Sequence, residues 1–265
     1  MSDLPGIASL WIGPRLSWIE QLSLLSFVSK GHSVVLYTYG DVQQIPNQIE
    51  VRDARAIWEM PEGFLRDTGP SYVADIFRVH LMEKTDLVWV DTDAFCLKPF
   101  NTTDAGYLVG HFHGRTEIAN GVMRLPANSE ALQFLKNIFV DDEFIPWWIR
   151  PALQERIRKM DPADRLRGQF HLKRTILGPR ALTAALRSSG EDKHAVHERV
   201  LYPYSWEYSD IPFNPHGGWQ GWIEEDTISI HFYRSQIRGT HINRFPPHPD
   251  SFMGQKVNEL GISPP

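Results

Sequence analysis

From Ile7 to Val90 short apolar runs alternate with helix signals, and that alternation restricts the chain more than any other feature. Ile7–Ile12 suits a buried strand. Ser17-Trp-Ile-Glu20 has the spacing of a capping box, in which a serine and a glutamate close the first turn of a helix. Leu22, Leu25 and Phe27–Val28 supply the apolar stripe of that helix, and Gly31 stops it. Ser33–Tyr39 is β-branched and aromatic and reads as a second strand, with Gln48–Arg52 as a third. Pro70 opens a helix that runs to about Glu83, and Leu87–Val90 is a fully apolar strand. This order predicts an α/β fold, a parallel sheet wound with helices, and places ligands beyond the carboxyl ends of the strands. Farther on, Tyr107–Phe112 and Gly121–Leu125 read as strands, Ser129–Val140 and Pro179–Leu186 as helices, and Ile228–Phe232 as a last strand. No repeat or low-complexity tract interrupts the 265 residues, and no linker divides the first 140.

Composition removes several classes of function. Hydrophobic residues make up 42%, enough for a sizeable core, and a net charge of −5 suits no protein that wraps phosphate backbones, so no nucleic-acid partner is expected. Cys96 is the single cysteine, which excludes an internal disulfide and a multi-cysteine zinc site. The N-terminal MSDLPGIASLW lacks the basic and apolar regions of a signal peptide, and no apolar run reaches the ~18 residues of a membrane span. The expectation is a cytoplasmic protein. The charge is uneven. Between Pro146 and Arg174 eight cations (Arg150, Arg156, Arg158, Lys159, Arg165, Arg167, Lys173, Arg174) face only Glu155, Asp161 and Asp164, a local balance of +5. Such a segment is either a solvated helical face or a surface for an anionic acceptor or the inner face of an anionic membrane, with peripheral contact. Trp147-Trp148 at its start reads as helix packing or, alternatively, as a platform for an acceptor sugar.

Asp91-Thr92-Asp93 follows the Leu87–Val90 strand directly. Carboxylates one residue apart point to the same side of an extended chain and repel unless a cation or a proton joins them. Mg²⁺ and Mn²⁺ accept such pairs, with substrate phosphate completing the shell. An isolated D-x-D is also a common polar turn at a strand end. In the preceding helix, Ser71, Asp75, Arg78 and Met82 share one stripe at 100° per residue. Asp75 and Arg78 are thus neighbours, readable as a surface ion pair or as an acceptor and a donor fork offered to a sugar or phosphate.

Trp11-Ile-Gly, Ala74-Asp75-Ile-Phe-Arg78 and Val88-Trp-Val-Asp91-Thr-Asp93, in that order and at those spacings, resemble the DXD-containing sugar transferases of glycosyltransferase family 32. That group includes bacterial capsule and surface-polysaccharide transferases and is related to the catalytic domains of glucosylating toxins. Asn120-Gly121, Leu177-Gly-Pro179 with Thr183, and Ile230-His231 continue the likeness to about residue 235. The resemblance implies a single Rossmann-like domain of the GT-A type, with a mixed, mainly parallel sheet flanked by helices and a helical insertion. Residues 1–140 would bind nucleotide sugar and metal, 141–190 would form the basic insertion on the acceptor side, and 191–265 would return to the active site. By the same resemblance Trp11 stacks on the base, and Asp75 and Arg78 grip the donor sugar and diphosphate, with Asn120 beside them. Asp91 lies near ribose and sugar, and Asp93 binds the metal, Mn²⁺ or Mg²⁺, with Asp91 and His231 as further ligands. After that histidine the family often has a small residue and a tryptophan, where this chain has Phe232-Tyr-Arg-Ser235-Gln. Taken alone, Trp11 and His231 also read as core residues, and Asn120-Gly121 and Gly178-Pro179 as a turn and a helix start.

The implied reaction moves a sugar from a nucleotide-diphosphate donor, UDP by preference, to a hydroxyl of a glycan or glycolipid acceptor with retention of configuration. No residue stands out as a covalent nucleophile, which favours front-face substitution. Two other classes compete. A haloacid-dehalogenase-type phosphatase also places D-x-D after an apolar strand, but it needs Thr or Val where Phe95 stands, and a later Gly-Asp pair. A non-catalytic carbohydrate-binding protein would need only the aromatic residues, 12% of the chain, and not the paired carboxylates.

Overall fold

Seven strands form one sheet in the computed structural model, which describes residues 4–173, 175–240 and 245–264. Arg174 of the basic segment and the first three residues of the chain lie outside the described residues. In chain order the elements are β1 (Ile7–Trp11), α1 (Trp18–Ser29), β2 (Val34–Thr38), β3 (Glu50–Asp53), α2 (Phe64–Thr68), α3 (Pro70–Lys84), β4 (Val88–Val90), β5 (Ala94–Cys96), β6 (Leu108–His111) and β7 (Ile118–Arg124). There follow α4 (Glu130–Ile138), α5 (Pro151–Arg158), α6 (Pro162–Leu172), α7 (Pro179–Ser189), β8 (Ala195–Val196), α8 (Glu198–Leu201), β9 (Ser229–His231), α9 (Arg234–Ile237) and α10 (Phe252–Glu259). The sheet order is β3-β2-β1-β4-β7-β6-β8. The pairs β1–β2, β1–β4, β2–β3 and β6–β8 are parallel, and β7 runs antiparallel to both its neighbours. It is therefore a mixed, mainly parallel sheet flanked by helices, as expected.

The strand order fixes where a ligand can sit. The chain leaves β1 toward β2 and β3, then returns through α3 to place β4 on the other side of β1. Connections that diverge between two adjacent parallel strands open a crevice at their carboxyl ends. Trp11 ends β1 and Asp91 follows β4, so both residues reach that crevice.

Helix α1 departs from the amphipathic stripe read from its sequence. Its capping box is present, with Ser17 N–H on Glu20 at 2.7 Å. Leu24 is fully buried while Leu25 is only half-buried. Leu24 and Phe27 pack with Val34, Leu36, Val88 and Val90 of the sheet, whereas Trp18, Ile19 and Leu22 pack with Phe95, Ile230 and Phe232. Those last residues belong to an antiparallel ribbon of β5 and β9. The helix is thus clasped on two sides, which a single apolar stripe does not describe. At three residues, β5 is too short to register as a strand in the sequence.

The basic segment folds as α5 and α6 against the helical face. Tyr72 of α3 stacks on Phe170 with ring centroids 4.6 Å apart, and Trp148 Nε1–H donates to Ile176 O at 2.9 Å. Phe134 and Phe144 enclose Trp148, while Trp147 remains half exposed. Four of the cations pair with carboxylates: Arg165 with Glu143, Arg167 with Asp67, and Arg158 and Lys159 with Glu155 on the same helix turn.

His32, in the turn from α1 to β2, ties three segments together. Its Nδ1–H donates to Pro5 O at 2.8 Å, and its Nε2 accepts the Phe100 N–H at 2.9 Å. Only the neutral ring can make both bonds. Burial lowers its pKa, and the bond to Pro5 only partly opposes that. The unfolded chain therefore binds the proton more readily, so the contribution of His32 is complete above an ordinary imidazole pKa of about 6.5 and declines below it. Urea unfolding between pH 7.5 and 5.5 should show wild type losing stability faster than His32→Gln as pH falls; parallel pH curves would refute this.

Candidate functional site

The crevice is a cleft of about 940 Å³ bounded by the β1–α1 loop, the start of α3, the turn after β4 and the start of α9. Trp11, Arg78, Asp91 and Asp93 line it directly. Asp75, Asn120 and His231 stand behind these residues and hold them, so all seven sequence-predicted residues converge on one region.

Its centre is Arg78. Helix α3 carries Asp75 and Arg78 one turn apart, and both are buried, so the surface ion pair considered from the sequence is not what forms. The guanidinium lies 3.5 Å from Asp75 Oδ1 and 3.3 Å from Asp91 Oδ1, and its carbon sits 4.7 Å from the centre of the Trp89 ring. Nε donates to Ala74 O at 3.0 Å, and Nη1 donates to Asn120 O. Asn120 in turn donates Nδ2–H to Asp75 Oδ1 at 2.8 Å. With these donors engaged inside the protein, Arg78 acts first as a bridge between two carboxylates. Burial pushes the Asp75 carboxyl up to about 6 against the pull of Arg78. Burial also disfavours ionised Asp91, but Arg78, His231 and the Trp89 indole outweigh it and hold that carboxyl below its usual value. Trp89 Nε1–H donates to Asp91 Oδ1 at 2.9 Å. In the sequence Trp89 reads only as apolar filling, although two residues along an extended chain lie on the same side.

The opposite oxygens form a second focus. His231 Nε2 lies 3.7 Å from Asp91 Oδ2 and 3.2 Å from Asp93 Oδ1. These three donors lie within 4.8 Å of one another. Asp93 Oδ2 is taken by the Arg234 backbone N–H at 2.7 Å. Burial raises the Asp93 carboxyl despite His231, and the two aspartates together raise the imidazole although burial opposes it. The ribbon supplies the histidine, because Ala94 pairs with His231 across β5 and β9.

The space among these donors exists because residue 121 is glycine. Asn120-Gly121 is not a turn but lies inside β7. A Cβ on Gly121 would fall 2.9 Å from His231 Nε2 and 3.0 Å from Asp91 Oδ2. Gly178, before α7, has the same role beside the arginine bridge, since its Cβ would fall 2.9 Å from Asp75 Oδ2. Two carboxylates and an imidazole around a vacant β-carbon position fit a divalent ion, with the mixed O and N donors suiting Mn²⁺. One local contact must yield: Tyr233 N–H lies 3.2 Å from His231 Nδ1, which places the ring proton on Nε2, facing the carboxylates. A divalent ion held through Nε2 would require the ring proton on Nδ1 instead, and the Tyr233 N–H would then lose that acceptor.

No family model matches the chain, and no curated protein does either. Among solved structures it is similar to the PaToxG glycosyltransferase, with a TM-score of 0.41 at 14% identity over 71% of this chain and 69% of that one. It is also similar to the apo structure of the bifunctional glycosyltransferase WbbM, with a TM-score of 0.30 at 11% identity, covering 97% of this chain and about half (52%) of that one.

Removing the bridge leaves Asp75 and Asp91 facing each other without a cation. Arg78→Met should destabilise the fold by about 3 kcal/mol, as for other buried pairs that lose one partner. Adding Asp75→Asn should recover some of that loss. Chemical denaturation of the three proteins checks this, and an Arg78→Met variant as stable as wild type would contradict it.

Proposed function

We propose that the chain is a metal-dependent glycosyltransferase with a GT-A-type fold, as its resemblance to family 32 implies. It moves a sugar from a nucleoside-diphosphate donor, UDP in the first instance, to a hydroxyl of a glycan or glycolipid. One observation carries this reading: Asp91 and Asp93, with His231 behind them, converge at the switch point of the sheet, on the wall of the cleft that Trp11 and Arg78 also line. A phosphatase or a lectin site has no need of that combination.

In this reading Asp91, Asp93 and His231 hold Mn²⁺ or Mg²⁺, which when bound offsets charge on the diphosphate. Trp11, half-buried at the end of β1, offers its ring to the base. Its indole Nε1–H is buried without a partner in the protein. Arg78, set by Asp75 and Asn120 behind it, orients the donor sugar so that its anomeric carbon meets the acceptor hydroxyl. The transition state has oxocarbenium character, as in glycoside cleavage. With retention by front-face substitution, the acceptor oxygen bonds to the anomeric carbon as the bond to the diphosphate oxygen breaks, and the acceptor proton passes to the departing diphosphate. Residues 141–190 form the acceptor side in this proposal, and their remaining cations suit an anionic acceptor or an anionic membrane surface. No described helix is long and apolar enough to cross a membrane.

A screen of nucleotide sugars with Mn²⁺ and no acceptor should find one donor that is slowly hydrolysed. That activity should be lost on chelation, and Asp93→Ala should lower it by about 10²-fold or more, the usual scale for an electrostatic group at a reacting oxygen. Trp11→Ala should mainly raise KM, by about 10-fold, as loss of one base–aromatic stack does. Full metal-dependent hydrolysis by Asp93→Ala would refute the site assignment.

A further inference from the structure

One cation in the cleft is not used by that reading. Arg234 opens α9, three residues after His231, and lines the cleft beside Asp93. Its backbone N–H donates to Asp93 Oδ2, and its Nε–H donates to Glu20 Oε1 at 3.2 Å. Glu20 is almost wholly enclosed, and its other oxygen accepts the Ser17 N–H of the α1 capping box. Tyr233, left-handed at φ 50°, makes the turn that brings Arg234 back onto Asp93. Arg234 Nη1 is buried and meets no acceptor in the protein. The side chain as a whole is one-fifth exposed.

An arginine anchored through its backbone N–H on Asp93 and through its guanidinium Nε–H on Glu20, with an Nη1 donor that nothing in the protein satisfies, is poised to receive an acceptor from outside. Its planar fork matches phosphate oxygens. The carboxylate that holds it is more than a helix cap. A capping box needs one oxygen, and here the second oxygen accepts the Nε–H of the guanidinium.

Resting on the glycosyltransferase reading, we propose that Arg234 binds the diphosphate of the donor and stabilises the departing oxygen, and that Glu20 is its positioning residue. As the bond from the anomeric carbon to the β-phosphate oxygen breaks, its electron pair passes to that oxygen. The acceptor hydroxyl supplies the new bond to carbon, and its proton goes to the diphosphate. Arg234 is placed to meet the charge that grows on the phosphate side. Glutamine at position 20 keeps a carbonyl for the Ser17 cap but removes the charge that orients the guanidinium.

The test compares wild type, Arg234→Gln, Glu20→Gln and the double variant with Mn²⁺. Calorimetry measures binding of UDP and GDP, and kcat and KM are measured for the nucleotide sugar that wild type hydrolyses. Arg234→Gln should lower kcat by about 10²-fold, as removal of a donor at a developing oxyanion does. Glu20→Gln should lower kcat by about 10-fold, on the scale of other orienting partners. The double variant should be no slower than Arg234→Gln, since Glu20 acts through Arg234, and melting temperatures should stay within a few degrees of wild type. An unchanged kcat in Arg234→Gln, or a Glu20→Gln effect that persists in the Arg234→Gln background, overturns this proposal alone. A wild type that binds neither diphosphate and hydrolyses no nucleotide sugar overturns the glycosyltransferase reading as well.

Discussion

The guanidinium of Arg78 organises the crevice. Enclosed, it bridges Asp75 and Asp91 and rests on the Trp89 ring while bonding the Asn120 carbonyl. Through it α3, β4 and β7 are held at fixed separation at the carboxyl end of the sheet. Asp75, buried, and Asp91, at the cleft wall, can lie this close because the guanidinium between them meets their charge on one side. Meeting one side leaves the other free. The outer oxygen of Asp91 can then turn with Asp93 toward His231. The electrostatics therefore has an inner half balanced by arginine and an outer half that invites a cation.

That outer half is built by segments of the chain far apart in sequence. Asp91 and Asp93 sit between β4 and β5, His231 lies in β9, and the glycine that makes room between them is in β7. The β5–β9 ribbon clasps α1 on the face away from the sheet, so the histidine arrives with the packing of Phe95, Ile230 and Phe232. Core formation and site assembly are the same event here, and the ribbon cannot shift without moving a donor.

Much of this was legible in the sequence. The strand–helix order, the strand before Asp91 and the α3 stripe all follow local rules, and the strands and helices read from it lie within a few residues of where they form. Other features required contacts that sequence spacing does not encode. Asp75–Arg78 could be a surface pair or a buried one, and only the covering by Asn120, Trp89 and α7 decides it. Glu20 looked fully explained as a capping residue. Arg234 carried no signal beyond following the histidine, and Gly121 imitated a turn residue because the space it frees lies across the sheet.

In the proposed site one divalent ion would sit among Asp91, Asp93 and His231. Pulsed electron paramagnetic resonance of Mn²⁺ added to the protein tests it most directly, because the spectrum reports the nitrogen of a coordinating imidazole. One ion per chain should bind, with a nitrogen modulation that disappears in His231→Gln and a signal that changes when UDP is added. Bound Mn²⁺ with no imidazole nitrogen, or with the same modulation in His231→Gln, would contradict the assignment.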